Sequence, residues 1–253
     1  MSHPAYGRLR PVSAVASVLL ENNPSSMTLE GTNTWVLRAP GAPECVVVDP
    51  GYEDLDHLPK LTELGPVAMI LLTHHHPDHA EGASWLAGRV DAPIRAFDTA
   101  LCRDAASFAD GETISVAGLD IEVLHTPGHT ADSVCLRLGE HVLTGDTILG
   151  RGTTVLADLG AYLGSLRTLL DLPPGLTGLP GHGPELHDLA STVQGYLEHR
   201  EQRLDQVRAA LAALGEGATA RQVVEHVYAD VDPALWGPAE HSVRAQLEYL
   251  RGS

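Results

Sequence analysis

Five of the seven residues from Thr73 to His79 can donate to a cation: His74, His75, His76, Asp78 and His79. Side chains two apart in an extended segment point the same way, so His74 and His76 can hold one ion between them. His75 points away from that ion and is read as a surface or supporting residue. Pro77 keeps His76 extended, and Asp78 and His79 open the next helix, where they can face a second ion. Imidazole nitrogen and carboxylate oxygen bind borderline-soft divalent ions such as zinc at about 2.0–2.2 Å. Four such donors in a strand-to-helix loop make half of a two-metal site.

The other half has to come from distant segments, and three offer it. His129, Asp146 and His182 each follow a glycine (Gly128, Gly145, Gly181) just beyond an apolar, strand-like run. Alone, the histidine run would suit a solvated loop; three matching partner segments argue against that. Asp49, at the end of another apolar run, is read either as a turn residue or as a brace for a ligand histidine. His125 is read as a core or bracing residue. Asn33, Arg151 and Tyr162 border the expected cleft, as substrate contacts or as turn and helix packing. No residue is singled out as substrate-binding. His3, His57, His141, His187, His199, His226 and His241 are expected to be exposed.

These donors need a scaffold of strands ending at one rim. Strands are expected at 12–20, 34–37, 45–49, 67–73, 93–97, 112–116, 121–125, 133–138, 141–144 and 178–179. Helices are expected at 78–89 and 163–170. From about Asp188 the pattern becomes helical, through Leu197, Leu204, Val207, Leu211 and Leu214, with further helices at 220–228 and 233–250. The length suits one large domain or a medium domain with a small appendage, and the change of pattern divides it into 1–190 for a catalytic domain and 191–253 for a small helical extension.

The stretch from His74 to His79, with His129, Asp146 and His182, resembles the metallo-β-lactamase superfamily, whose motif reads His-x-His-x-Asp-His. The resemblance implies an α/β fold, the four-layer αβ/βα sandwich, here with a C-terminal winged-helix-like extension. It implies that His74, His76 and His129 bind a first metal, that Asp78, His79 and His182 bind a second, and that Asp146 bridges them. Asp78 and Asp146 are then the catalytic carboxylates, and the cofactor is two divalent metal ions, zinc foremost. Along most of the chain (Asn23 to Thr34, Thr126 to Thr130, Leu143 to Asp146, Pro180 to Pro184) the likeness is to the β-lactamase-like-protein-2 group, whose animal members are endoribonucleases acting on single-stranded RNA. The chain stops at Arg251, Gly252 and Ser253, so the β-hairpin wing of that group is expected to be short or absent.

Composition narrows the partners. The 253 residues are 43% hydrophobic and 19% charged, with a formal net charge of −17 and a single lysine, Lys60. That balance repels phosphate backbones and anionic membranes at long range. The extension carries six arginines against nine acids, a poor footprint for duplex DNA. Three cysteines, Cys45, Cys102 and Cys135, lack metal-ligand spacing and read as reduced core residues. Arg8 and Arg10 before an apolar stretch suit a first strand better than an export signal, so a cytoplasmic address is expected. The expected reaction is hydrolysis by a metal-bridging hydroxide, of a phosphodiester in single-stranded RNA or of a small ester or thioester. The alternatives are a thioesterase similar to glyoxalase II and, further off, an oxidoreductase similar to the mononuclear-iron persulfide dioxygenases. The oligomeric state is not legible.

Overall fold

The computed structural model describes residues 3–229 and 236–252. The first sheet is built by β1 (Leu9–Pro11), β2 (Ala16–Leu20), β3 (Asn33–Leu37), β4 (Cys45–Val48), β5 (Val67–Leu71) and β6 (Ile94–Arg95), in that spatial order. The pairs are antiparallel through β4 and parallel from β4 to β6. The second sheet, in the order β11-β10-β9-β8-β7, contains β7 (Thr113–Val116), β8 (Leu119–His125), β9 (Val134–Leu138), β10 (His141–Gly145) and β11 (Thr177–Pro180).

Strand alternation divides the apolar residues between two layers. Val46 and Val48 of β4 join Trp35, Leu37 and Leu71 against Ile121, Val123, Leu136 and Leu143 of the other sheet. Cys45 and Val47 face outward, under helices α1 (Leu58–Thr62) and α3 (Ala83–Val90), with Leu58, Leu61, Leu86 and Ile70. Because β4 is buried on both faces, it reads as an unbroken apolar run, not an alternating one. On the far side α4 (Leu159–Leu170) and the first half of α5 (Leu189–Leu214) cover the second sheet, Tyr162, Leu166, Val193 and Tyr196 packing on Cys135 and Val142. The layers are thus αβ/βα, as expected from the sequence.

Several boundaries differ from the sequence reading. The strand expected at 12–20 begins only at Ala16, because the Ser13 hydroxyl accepts from the backbone of Val15 and Ala16 and turns the chain; a short β1 precedes it at 9–11. The helix expected at 78–89 is two helices, α2 (Pro77–Ala80) and α3, separated where Gly82 N donates to Gly51 O at 2.8 Å. Helix α4 begins a turn earlier than expected, since Asp158 caps it by accepting from Ala161 N at 2.9 Å. The short α1 was not anticipated.

Asp188 caps α5 in the same way through Ser191 N. The second half of α5, α6 (Ala220–Val227, opened by a capping box of Thr219 and Gln222) and α7 (Trp236–Gly252) close a separate apolar cluster of Val207, Leu211, Val223, Val224, Val243 and Leu247. The expected helix start at Pro233 lies outside the described residues. Two further corrections concern histidines: His57 and His141 are buried, at 3% and 6% exposure. His57 donates to Thr34 Oγ1, which itself donates to the Asp49 carbonyl. Of the cysteines, Cys45 and Cys135 are buried and Cys102 is partly so.

Candidate metal centre

Strands β4 and β5 of one sheet and β8, β10 and β11 of the other deliver their ends to a common rim. Asp49 follows β4, the histidine run follows β5, His129 follows β8, Asp146 follows β10 and His182 follows β11. Two glycines allow this convergence. A Cβ on Gly145, which has φ +47°, would lie 2.7 Å from Thr73 Oγ1. A Cβ on Gly181 would lie 2.6 Å from Asp146 Oδ1 and 2.7 Å from His79 Cε1. Any larger residue at either position would push the rims apart.

All seven residues singled out by the sequence meet here. His74 Nε2 is 3.1 Å from His76 Nδ1, which is 3.0 Å from His129 Nε2. His79 Nε2 is 3.2 Å from His182 Nε2, and Asp78 Oδ2 is 3.3 Å from His182 Nε2. Asp146 spans both groups, with Oδ2 3.7 Å from His129 and 3.5 Å from His182, and Oδ1 3.5 Å from His79. Donor atoms close enough to share an ion fall into the sets His74, His76 and His129; His74, His79 and Asp146; and Asp78, His79 and His182.

The outer hydrogen bonds fix which nitrogens face inward. Thr73 donates its hydroxyl to Asp49 Oδ2 at 2.6 Å and therefore accepts from His74 Nδ1 at 3.0 Å. His79 Nδ1 donates to Asp49 Oδ2 at 2.9 Å, His129 Nδ1 to Val155 O at 2.8 Å and His182 Nδ1 to Gly31 O at 3.1 Å. Each of these four rings has spent its Nδ1 proton outward, so its Nε2 lone pair points into the cluster. One proton on His76 Nδ1 could serve either His74 or His129, not both. His79 and His182 present lone pairs to each other, and Asp146 Oδ1 is buried with no hydrogen-bond partner. Nitrogens bound tetrahedrally at about 2.0–2.1 Å lie about 3.3 Å apart, close to the spacings observed. The donor set fits a pair of divalent cations.

Electrostatics agree. Burial, then the neighbouring His79, hold His74 well below its ordinary value, and burial followed by His129 brings His76 to about 4. Burial, the largest single effect, opposes charging His79 and His182 too, but Asp146 and Asp49 together raise His79, and Asp146 with the bonds to Asp78 and Gly31 lifts His182 to about 10. Burial would raise the Asp146 and Asp78 carboxyls, yet His182 and His79 draw both below the usual range, Asp146 far below. Without a metal the second group holds a proton in its place.

The other sequence candidates divide. Asp49 is the brace, accepting from Thr73 N at 2.8 Å as well as from His79, and holding φ +52°. His75 is exposed and pairs with Asp132 at 2.7 Å. His125 stacks on Phe97 and bonds Ala131 O. Asn33 is consumed in binding the carbonyls of Pro180 and Gly183, and Tyr162 is a fully buried helix residue bonded to Thr147 O; neither lines the cleft beside His129 and Asp146. Arg151 does line it, paired with Glu30. Thr73, Thr154 and Val155 were not legible as props in the sequence, because all three act through an ordinary hydroxyl or a backbone carbonyl.

Residues 27–182 match the metallo-beta-lactamase superfamily and residues 219–251 the beta-lactamase associated winged helix domain. The beta-lactamase-like protein 2 homolog of Drosophila melanogaster is 34% identical over 98% of this chain and 90% of its own length. An atrochrysone carboxyl ACP thioesterase of Aspergillus chevalieri is 32% identical over 84% of this chain and 73% of its own. Among solved structures, a beta-lactamase domain protein from Burkholderia ambifaria superposes with a TM-score of 0.84 at 21% identity, covering 99% of this chain and 90% of that one. The chain belongs to the metallo-beta-lactamase superfamily, within its β-lactamase-like-protein-2 group.

Proposed function

We propose that the chain is a metal-dependent hydrolase of an ester or thioester with an apolar acyl group. The observation that carries this reading is a cavity of about 540 Å³ beside His76 and His129, walled by Met27, Ala131, Val155, Leu156 and Ala157. No arginine or lysine lines it among the described residues. Apolar walls beside a polar centre suit an acyl chain, whereas a phosphodiester chain is held chiefly by cations. The similarity to a chain named as an ACP thioesterase supports the same choice.

Two divalent cations, zinc the first choice, would supply Lewis acidity toward the carbonyl oxygen and a water that ionises near neutrality. His74, His76 and His129 would hold one and Asp78, His79 and His182 the other, with Asp146 between. The chain's own part is positioning. Val155 O and Thr73 Oγ1 hold the His129 and His74 rings with Nε2 inward. The apolar wall seats the acyl chain and excludes bulk water from the carbonyl. Asp78 Oδ2, 3.3 Å from His182 Nε2, would accept the proton of the attacking water and fix its direction. The carbon–sulfur bond then breaks, and a thiolate needs no acid to leave. Assay of the metal-loaded chain against acyl thioesters of rising length, and against single-stranded RNA, tests this. Turnover that grows with acyl length and vanishes in Asp146→Ala is expected. Cleavage of RNA with every ester and thioester untouched would overturn it.

A further inference from the structure

A second cavity, of about 210 Å³, lies where residues 153–155 meet α5 and α7. Its wall includes Arg200, Arg203, His199, Ser242 and Gln246, with no carboxylate among the described residues. Arg200 is only 3% exposed. Its Nη2 donates to Thr154 O at 2.6 Å and its guanidinium lies 5.4 Å from the Tyr162 ring centre, but its Nε is buried without a partner. Among the described residues no acid pairs with it, in a chain of net charge −17. A buried guanidinium lacking a counter-charge is costly and rarely kept without use.

Its neighbours repeat the pattern. Arg203 Nε donates to His199 Nε2 at 3.3 Å, so the neutral ring carries its proton on Nδ1, and that atom too is buried and unpartnered. Burial first, and then the charges of Arg200 and Arg203, hold His199 below its ordinary value. The buried Gln246 Oε1 also lacks a partner, and turning that amide over would offer an N–H instead. The unfilled Nε–H of Arg200 and Nδ1–H of His199 belong to side chains lining one cavity, beside Arg203, whose Nε and Nη1 are taken by His199 and Gln206.

We propose that this cavity is an oxyanion site taking a phosphate group, between the catalytic layers and the C-terminal helices. Its far wall is the segment whose Val155 carbonyl and Thr154 hydroxyl hold His129, so an anion seated here lies one backbone segment from the metal centre. The phosphate belongs either to the carrier half of a substrate or to a free effector. The site stands on its own donors and does not depend on the thioester reading.

Isothermal titration calorimetry of the metal-loaded full chain with inorganic phosphate at low ionic strength tests it. Binding is expected to survive Asp146→Asn, which alters only the metal centre, and to weaken at least about tenfold in Arg203→Gln and in His199→Phe, each losing a donor. These partly exposed positions are chosen because Arg200 variants can fail to fold; circular dichroism checks that the fold is kept. Phosphate binding equal in wild type and both cavity variants, or absent from the wild type, overturns the proposal. Kinetics then separate the sources. If the phosphate is the substrate's, Arg203→Gln raises KM for a phosphate-bearing thioester about tenfold and leaves a neutral one with the same acyl group unchanged. If it is an effector, free phosphate alters turnover of the neutral thioester in wild type and not in Arg203→Gln.

Discussion

At the residue scale the centre is governed by acceptors standing behind four of its five imidazoles. Asp49 serves two of them, His79 directly and His74 through Thr73. Asp49→Asn keeps the volume and tolerates the left-handed backbone, but it removes the charge that makes both rings better donors. Metal affinity is expected to fall about 10–100-fold, read by competition with a chromogenic chelator, while the circular dichroism spectrum stays unchanged; equal affinity would show that Asp49 is a turn residue only. His57 lies behind the same strand end, and its reading from sequence as an exposed histidine fails because nothing local marks the Thr34 hydroxyl that receives it. Burial depresses His57 to about 4 from 6.5, with Asp54 opposing and Lys60 assisting. Between those values the unfolded chain binds the proton and the folded one does not, so stability present above pH 6.5 is lost as the pH falls toward 4. The loss should reach about 3 kcal/mol. A His57→Gln variant, which cannot titrate, should show a flatter melting temperature between pH 6.5 and 4 than wild type.

At the element scale the site depends on how closely the ends of β5, β10 and β11 approach. Gly181 is the tightest point, packed against Asp146 and His79. Gly181→Ala should therefore release the second metal, leaving one ion per chain by elemental analysis, without changing secondary structure. Two retained ions would show that the rim can yield by several tenths of an ångström. The supporting helices are held by ordinary packing: Leu166 of α4 is fully buried against the second sheet. Leu166→Ala should cost about 2–5 kcal/mol in denaturant unfolding while kcat, measured under folding conditions, changes little.

At the scale of the whole molecule, seven buried or partly buried donors tie the two sheets and their loops together, so metal loading and folding are coupled. Chelation should lower the melting temperature by roughly 5–10 °C, given the stabilisation expected of a ligand present well above its Kd. Re-loading should release protons, because His182, lifted to about 10 by Asp146 and by its bonds to Asp78 and Gly31, carries one when no metal is present. Calorimetry in buffers of different ionisation enthalpy reads that release directly; buffer-independent heats would contradict it. Among the described residues no helix is long and apolar enough to cross a membrane.

The amino-acid sequence alone determined the donors and the layers. Imidazoles spaced two apart, a proline that keeps His76 extended, and strand-length apolar runs are local facts, and their chemistry is local too. Strand β4 was legible because burial on both faces demands an unbroken run of valines. Tertiary structure alone decided what each donor leans on: that Val155 and Gly31 offer carbonyls to His129 and His182, that Asn33 and Tyr162 are spent on packing, and that Arg200, within an unremarkable helical stretch, lies buried without an acid. Such facts rest on contacts between segments up to 151 residues apart, and backbone carbonyls carry no signature in sequence. Side-chain identity says what a residue can bind, and only the assembled fold says what it faces.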